Sequence, residues 1–282
     1  MKVAPTIEEL RTNLKSHHAD NQLIGFVPTM GALHEGHLAL VDKAKESSDT
    51  TVVSIFINPL QFNNAQDFST YPQTLESDLE LLEKRGVDVV FLPSKEELYP
   101  MQPSLSINFG PLERTLEGEF RPGHFSGVGI IVSKLLNIVK PHVAYFGQKD
   151  LQQVAVIQTL VRDLSIDVKI QVVPTVRESD GLAMSSRNLR LTTQERKAAR
   201  LLYQVLNFCK IELLAGRDWL TTRQEALQMI RHESLASMEY LELVSTYSLQ
   251  KQEKFEPEQA LSLVIACFIG EVRLIDNLPV NL

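Results

Sequence analysis

The sequence predicts an α/β fold, a doubly wound parallel sheet followed by a smaller α+β C-terminal domain, on three observations. Short apolar runs of the kind buried on both faces of a parallel sheet recur at Leu23–Val27, Thr51–Ile57, Val87–Leu92, Val143–Gly147 and Val168–Val173. Amphipathic helical patterns separate them, and alternating strands and helices build a parallel sheet covered on both faces. After Pro174 the rhythm changes to a loop rich in Ser, Gly, Asp and Arg, then two helical and three strand-like stretches. The boundary is therefore placed there, with residues 1–174 as the first domain and 175–282 as the second.

Thr6-Ile7-Glu8-Glu9 has capping-box spacing and opens a helix to about Ser16. The strand from Leu23 should end at Pro28, which has no N–H to give a sheet ladder. A helix then runs from about Gly36 to Glu46, with Leu38, Leu40, Val41 and Ala44 on its apolar side. The second strand stops at Asn58-Pro59. Thr74 to Arg85 forms a helix with Leu75, Leu79 and Leu82 in one stripe, and Gly86 ends it. Ser94-Lys95-Glu96-Glu97 is a second capping-box pattern, and Leu105–Phe109 is read as a further strand. Val128, Ile131, Val132, Leu135, Leu136 and Val139 repeat at helical spacing up to Pro141. Asp150 opens a helix to about Leu164. In the second domain, helices are expected over Thr193–Leu214 and Thr221–His232, and strands over Tyr240–Val244, Leu261–Ile269 and Glu271–Ile275.

The formal net charge of −7 argues against a nucleic-acid surface, which needs a basic face, but not against a small anionic ligand held by a few local donors. Cys209 and Cys267 lack metal-ligand spacing and read as small buried apolar residues. The N-terminal residues have no apolar signal region, and the longest apolar run, Leu263–Ile269, is too short to span a membrane. A soluble cytoplasmic protein is the expectation.

Chemistry concentrates where strands end. In parallel sheets ligands bind beyond the carboxyl ends of the strands. The stretch Gly25 to His37 reads as strand, glycine turn and helix start, a phosphate-binding arrangement in which helix N–H groups are expected to be unpaired. His34 and His37, three residues apart, should lie over one patch, and Gly36 between them would let a base or sugar approach the backbone. Gln61-Phe62 follows the second strand. Gly147-Gln148-Lys149-Asp150 follows a later one, with Gln152-Gln153 behind it. Met184-Ser185-Ser186-Arg187-Asn188 lies in the loop after Pro174. Lys149 is a point charge suited to phosphate and Arg187 a planar fork. These four clusters are expected to face one cleft, as a site for a nucleoside triphosphate and a neutral-to-anionic second substrate.

His34-Glu35-Gly36-His37 resembles the HxGH signature (the HIGH motif) of the class I nucleotidyltransferase and aminoacyl-tRNA synthetase superfamily, and Met184-Ser185-Ser186-Arg187 its mobile phosphate loop. More closely, the chain resembles the pantothenate synthetase (pantoate–β-alanine ligase) family. The matching stretches are Pro28 to Leu38, Val53 to Phe62, Gly123 to Val128, Phe146 to Gln153 and Asp180 to Asn188, in that order. The resemblance implies a Rossmann-like first domain and ligation in two steps. Pantoate and ATP give pantoyl adenylate and pyrophosphate, and β-alanine then displaces AMP to give pantothenate. It further implies that Met30, Gly31, Ala32, Leu33, His34, Glu35, Gly36 and His37 hold ATP together with Gly147, Gln148, Lys149 and Asp150. Val176, Met184, Ser185, Ser186 and Arg187 complete that site. His34, His37, Lys149 and Arg187 are the catalytic candidates, and Gln61 and Gln153 hold pantoate, with Gln61 also near β-alanine. Mg²⁺ is expected on the phosphates, and a homodimer is implied. No protein ligand for the metal is assigned. Asp78 is a candidate contact, weighed against a solvated helix residue. No nucleic-acid or membrane partner is expected.

Two positions depart from the family's usual pattern: Gln73 where arginine follows Tyr-Pro, and His142 where aspartate follows the proline. The rival readings are a cytidylyl- or adenylyltransferase, which shares HxGH but does not need Gln61-Phe62 or Gln152-Gln153, and a non-catalytic nucleotide-binding module, which would not need both histidines with Lys149 and Arg187.

Overall fold

A computed structural model describes residues 1–281. The chain forms two compact units, one of residues 1–147 and 156–174, the other of residues 148–155 and 175 onward. The first carries β1 (Lys2–Ala4), α1 (Ile7–Ala19), β2 (Ile24–Thr29), α2 (Glu35–Ser47), β3 (Thr50–Ile55), α3 (Ala65–Ser69), α4 (Leu75–Lys84), β4 (Val89–Phe91), α5 (Lys95–Leu98), α6 (Glu117–Phe120), α7 (His124–Val139), β5 (Val143–Gly147), most of α8 (Leu151–Asp163) and β6 (Lys169–Val173). The second carries α9 (Thr193–Ala199), α10 (Leu201–Leu214), α11 (Trp219–Arg231), β7 (Ala236–Ser245), β8 (Leu261–Ile269) and β9 (Val272–Pro279).

The six strands of the first unit are all parallel, in the order β1-β4-β3-β2-β5-β6. From β2 the sheet grows through β3 and β4 in one direction and through β5 and β6 in the other. The topological switch point therefore lies between β2 and β5, where such sheets bind ligands. Val27, Val53 and Val90 pack against Leu38, Val41 and Ala44 of α2 and Leu82 of α4. Phe26, Val52 and Val89 are equally buried and, by the period of two, point to the opposite face. Apolar runs rather than alternation follow from burial on both faces.

β2 does not stop at Pro28. It pairs with β3 as far as Thr29, but with β5 only through Gly25 and Phe26. Pro28 lies beyond the end of the β5 ladder, so it has only one neighbouring strand to satisfy. The run Leu105–Phe109 is not a strand: its backbone is irregular, and Ile107 donates its N–H to Ser126 Oγ at 3.1 Å. Glu97 does not complete a capping box with Ser94. Its Oε1 accepts the N–H of Ile7 at 2.8 Å and so caps a different helix, α1. β1 is a short edge strand that carries too few residues for a periodic signal.

In the second unit the strands form an antiparallel sheet, β7-β8-β9, packed on α10 and α11 through Leu202, Val205, Leu206, Trp219, Leu241 and Ile265. The helix expected over Thr193–Leu214 breaks at Arg200 into α9 and α10. Cys209 and Cys267 are buried in this core, which pushes both thiols up to about 12. No described helix is long and apolar enough to cross a membrane.

Candidate active site

The turn between β2 and α2 is built from two successive left-handed residues, Gly31 at φ +81° and Ala32 at φ +51°. Glycine takes that conformation freely; alanine does so at a cost of about 1–2 kcal/mol. The strain is held by Asp78 on α4, whose Oδ2 accepts the Ala32 N–H and Oδ1 the Leu33 N–H, both at 2.8 Å. Asp78 is therefore no solvated helix residue: it is 1% exposed, and both carboxylate oxygens are committed to this turn.

The two histidines cap α2 reciprocally. His34 is the N-cap and its Nδ1 accepts the Gly36 N–H at 3.1 Å, while His37 Nδ1 accepts the His34 N–H at 3.3 Å. The rings lie 4.0 Å apart between centroids, tilted by 36°. An acceptor Nδ1 requires the proton of a neutral ring on Nε2, so each imidazole is set as an Nε2–H donor. The expectation of unpaired N–H groups at the helix start is thereby narrowed: six N–H groups of the turn and first helical residues have partners within the protein. Gly31 N–H goes to Thr29 Oγ1, those of Ala32 and Leu33 to Asp78, those of His34 and Gly36 to the histidine rings, and that of His37 to the His34 carbonyl. Glu35 faces away and pairs with Arg85 at 2.9 Å.

Gln61 sits in the single 3₁₀ turn Pro59–Gln61 after β3, and its side-chain orientation is fixed. Asn58 is buried. Its Oδ1 accepts from Tyr99 Oη at 2.9 Å and from Leu60 N–H at 3.4 Å, and its Nδ2 donates to Gly127 O at 3.2 Å and Gln61 Oε1 at 3.1 Å. With Oε1 taken, Gln61 presents its amide nitrogen, which lies 3.0 Å from Met30 Sδ, a weak acceptor. The Gln61 carbonyl accepts from His124 Nδ1 at 2.7 Å, and Arg121 lies 3.3 Å from His124 Nε2. Burial pushes the Tyr99 hydroxyl pKa well up, keeping it a neutral donor. A methyl group at Gly127 would lie 2.3 Å from Leu60 O, so glycine is required for this approach.

In the second unit, the turn Gln148–Asp150 is tied to β9: Asn277 Nδ2 donates to the carbonyls of Gln148 at 2.9 Å and Lys149 at 2.8 Å. Lys149 Nζ lies 3.7 Å from Asp150 Oδ1. Arg177 grips Asp276 through two bonds of 2.6 and 3.0 Å, donates to Gly181 O and Asn277 O, and stacks over Tyr203 at 4.2 Å. Burial raises the Asp276 carboxyl pKa; the adjacent Arg177 opposes that. The loop read as irregular is a tight hairpin. Met184 N–H donates to Val176 O, Glu178 N–H to Leu182 O, and Gly181 at φ +93° makes the turn. Asn188 ties it to Glu178 and Ala183 O, and Arg196 of α9 clamps Glu178 and Asp180, holding the Asp180 carboxyl below its usual range. Ser185 caps the following 3₁₀ turn, which holds Ser186 and Arg187, by accepting the Arg187 N–H. Gln153 is half-buried on α8.

The first unit thus brings Met30 against Gln61 and His34 against His37. The second brings Gln148, Lys149 and Asp150 onto β9, and Val176 and Met184 onto one hairpin, with Ser185, Ser186 and Arg187 following it. Sequence reasoning missed the supporting residues Asn58, Tyr99, Arg121, His124, Arg177 and Asn277. Their signal was present only as polar residues inside or beside apolar segments, which does not reveal a partner many residues away. His142, one of the two departures, is structural: its Nδ1 accepts the Ile24 N–H at 3.0 Å and its backbone N–H donates to Ile24 O. Gln73 is exposed ahead of α4.

The sequence profile of pantoate-beta-alanine ligase matches residues 2–279. A pantothenate synthetase of Fervidobacterium nodosum is 46% identical over 282 residues, covering 100% of both chains, and one of Cytophaga hutchinsonii is 43% identical over 278 residues, covering 98% of both. Among solved structures, pantothenate synthetase from Thermus thermophilus superposes with a TM-score of 0.94 at 40% identity, covering 100% of both chains. The pantoate-beta-alanine ligase of Francisella tularensis, complexed with beta-gamma ATP and beta-alanine, superposes with a TM-score of 0.81 at 38% identity, covering 99% of this chain and 98% of that one. With a profile match over nearly its full length and relatives of this identity, the chain belongs to the pantoate–β-alanine ligase family.

Proposed function

We propose that the chain joins pantoate to β-alanine using ATP, through pantoyl adenylate. A pantoate carboxylate oxygen attacks the α-phosphorus of ATP and pyrophosphate leaves. The β-alanine amine then attacks the acyl carbon of the mixed anhydride, loses a proton, and AMP leaves with the carboxylate oxygen. The observation that carries the reading is the paired commitment of His34 and His37 Nδ1 atoms to backbone N–H groups, which makes both rings Nε2–H donors at the end of β2.

The remaining roles follow from chemistry. Met30 to His37 form the ATP-binding turn of the first unit, where imidazole donors can stabilise charge developing on phosphate oxygens. Gln61, whose Oε1 is taken by Asn58 and whose amide nitrogen lies against Met30 Sδ, is assigned to pantoate as a donor, and Gln153 to the same substrate. Gly147 to Asp150, Val176 and Met184 to Arg187 are assigned to ATP, with Lys149 and Arg187 carrying positive charge toward the triphosphate. Both thiols are buried and their pKa values raised, so neither is a nucleophile. Activation of the acid therefore falls to ATP. Mg²⁺ is assigned to the substrate as MgATP. The working form is proposed as a cytoplasmic homodimer, in keeping with the family.

Exchange of labelled pyrophosphate into ATP tests the reading. It should require pantoate and proceed without β-alanine. Adding β-alanine should then release AMP and pantothenate in equal amounts. ADP and phosphate as products would overturn it.

A further inference from the structure

Asp78 has a place in the site that its sequence context does not announce. It stands in the first turn of α4, where a carboxylate is favoured by the helix dipole. Thr74, the N-cap of α4, makes no side-chain cap bond. Its hydroxyl donates instead to Asp78 Oδ1 at 3.0 Å. The carboxylate thus receives three hydrogen bonds, two of them from the successive N–H groups of Ala32 and Leu33. Successive N–H groups converging from left-handed residues form an anion nest. Here the nest is filled by the protein's own side chain, reached across 46 residues of sequence from Ala32. A methyl group at Gly31 would lie 3.1 Å from Asp78 Oδ2 and 3.2 Å from Ile55 Cγ2, so the turn has little room to relax.

We infer that Asp78 is a positioning residue for the His34–His37 pair, an internal anion that holds the strained turn and thereby sets where α2 begins and where both imidazoles stand. This rests on the reading of those histidines as phosphate donors. Asp78 acts through the turn, its carboxylate spent on the N–H groups of Ala32 and Leu33 and the hydroxyl of Thr74. Without the clamp, Ala32 can leave its left-handed conformation, and the start of α2 is no longer fixed relative to β2.

The test is Asp78→Asn, which keeps the shape but turns an N–H donor toward one of the two backbone N–H groups. The affinity for a non-hydrolysable ATP analogue should fall about tenfold or more, the scale of one charge-assisted hydrogen bond. The KM for pantoate should change far less, and the Mg²⁺ dependence measured at saturating nucleotide should stay that of the wild type. The double variant Asp78→Asn/Ala32→Gly should recover part of the lost affinity, because glycine holds the turn without strain. Unchanged nucleotide affinity in Asp78→Asn, an equal rise in the pantoate KM, a shifted Mg²⁺ requirement, or no recovery in the double variant would each overturn the inference. If Asp78→Asn does not fold, Thr74→Val decides, with a smaller selective loss of nucleotide affinity expected and no loss overturning the inference. Nucleotide binding is read without turnover, so failure of the ligase reading would show separately, as wild-type protein that binds the analogue and makes no pantothenate.

Discussion

His34 and His37 orient one another through the backbone: the ring of His37 accepts the N–H of His34, whose own ring accepts the N–H of Gly36. One pair of bonds both starts α2 and fixes which imidazole nitrogen carries the proton. Capping and the choice of tautomer are therefore set by the same structural device.

His37→Ala should separate those roles. Loss of the cap should lower stability by about 1 kcal/mol, as for other N-terminal capping losses. Loss of a donor to developing charge should lower pantoate-dependent pyrophosphate exchange about a hundredfold or more. Urea unfolding and the exchange assay measure the two; near-wild-type exchange at saturating ATP and pantoate would remove His37 from the chemistry.

Gln61→Glu changes the group proposed to face the second substrate. The Asn58 amide can still donate to a carboxylate, so the local network survives. The amide donor proposed for pantoate is lost, and a negative charge would oppose the anionic substrate. The pantoate KM should rise at least about tenfold, the scale of a hydrogen bond to a charged group, while the ATP KM moves little. Comparable rises in both constants would show that Gln61 does not discriminate between them.

Gly127→Ala tests the contact between α7 and the turn that carries Gln61. The new methyl would meet the backbone at Leu60 O, 2.3 Å away, and Gln61 N, 2.8 Å away, where no flexible side chain can yield. Overpacking of this kind costs about 1–3 kcal/mol. Thermal unfolding should register that loss, with a raised pantoate KM as the turn shifts. Wild-type stability would show that α7 moves freely against the turn.

Arg177→Met leaves the Asp276 carboxylate buried without its counter-charge. Breaking a buried pair from one side costs about 3–5 kcal/mol. Burial already raises the Asp276 pKa, and removing Arg177 raises it further. A native carboxyl above its unfolded value binds more protons folded than unfolded, so stability rises as pH falls. The deficit of the variant should therefore be greatest at neutral to alkaline pH and shrink on acidification. Urea midpoints across that range measure it, and a pH-independent deficit would mean that Asp276 does not take up the proton.

Much of the fold was legible locally. Apolar runs such as Thr51–Ile57 could only be buried on both faces, and the alternation with helices fixed a parallel sheet. The HxGH histidines, Gln61 and Lys149 were legible because each follows a strand end. The extent of β2 was not: whether Pro28 breaks a strand depends on how many neighbours that strand has at that level, and β5 has already parted from it. Nor was the break at Arg200, within a stretch whose apolar pattern runs through.

The sequence by itself determined the main alternation of strands and helices, the clusters after strand ends and the family, because period, turn chemistry and motif spacing are properties of neighbouring residues. Only the tertiary structure decided which groups are spent inside the protein. Asp78 read as either a candidate metal contact or a solvated helix residue, and it fills the nest of Ala32 and Leu33. The N–H groups of this turn read as open to phosphate, yet those of Ala32 and Leu33 are satisfied by Asp78 and those of His34 and Gly36 by the two imidazoles. Asn58 fixes the face that Gln61 presents, and Asn277 holds the turn of Lys149 across 128 residues of sequence. Each is a hydrogen bond whose second partner is chosen by folding, since a buried donor must find an acceptor in space, however far apart the two lie along the chain.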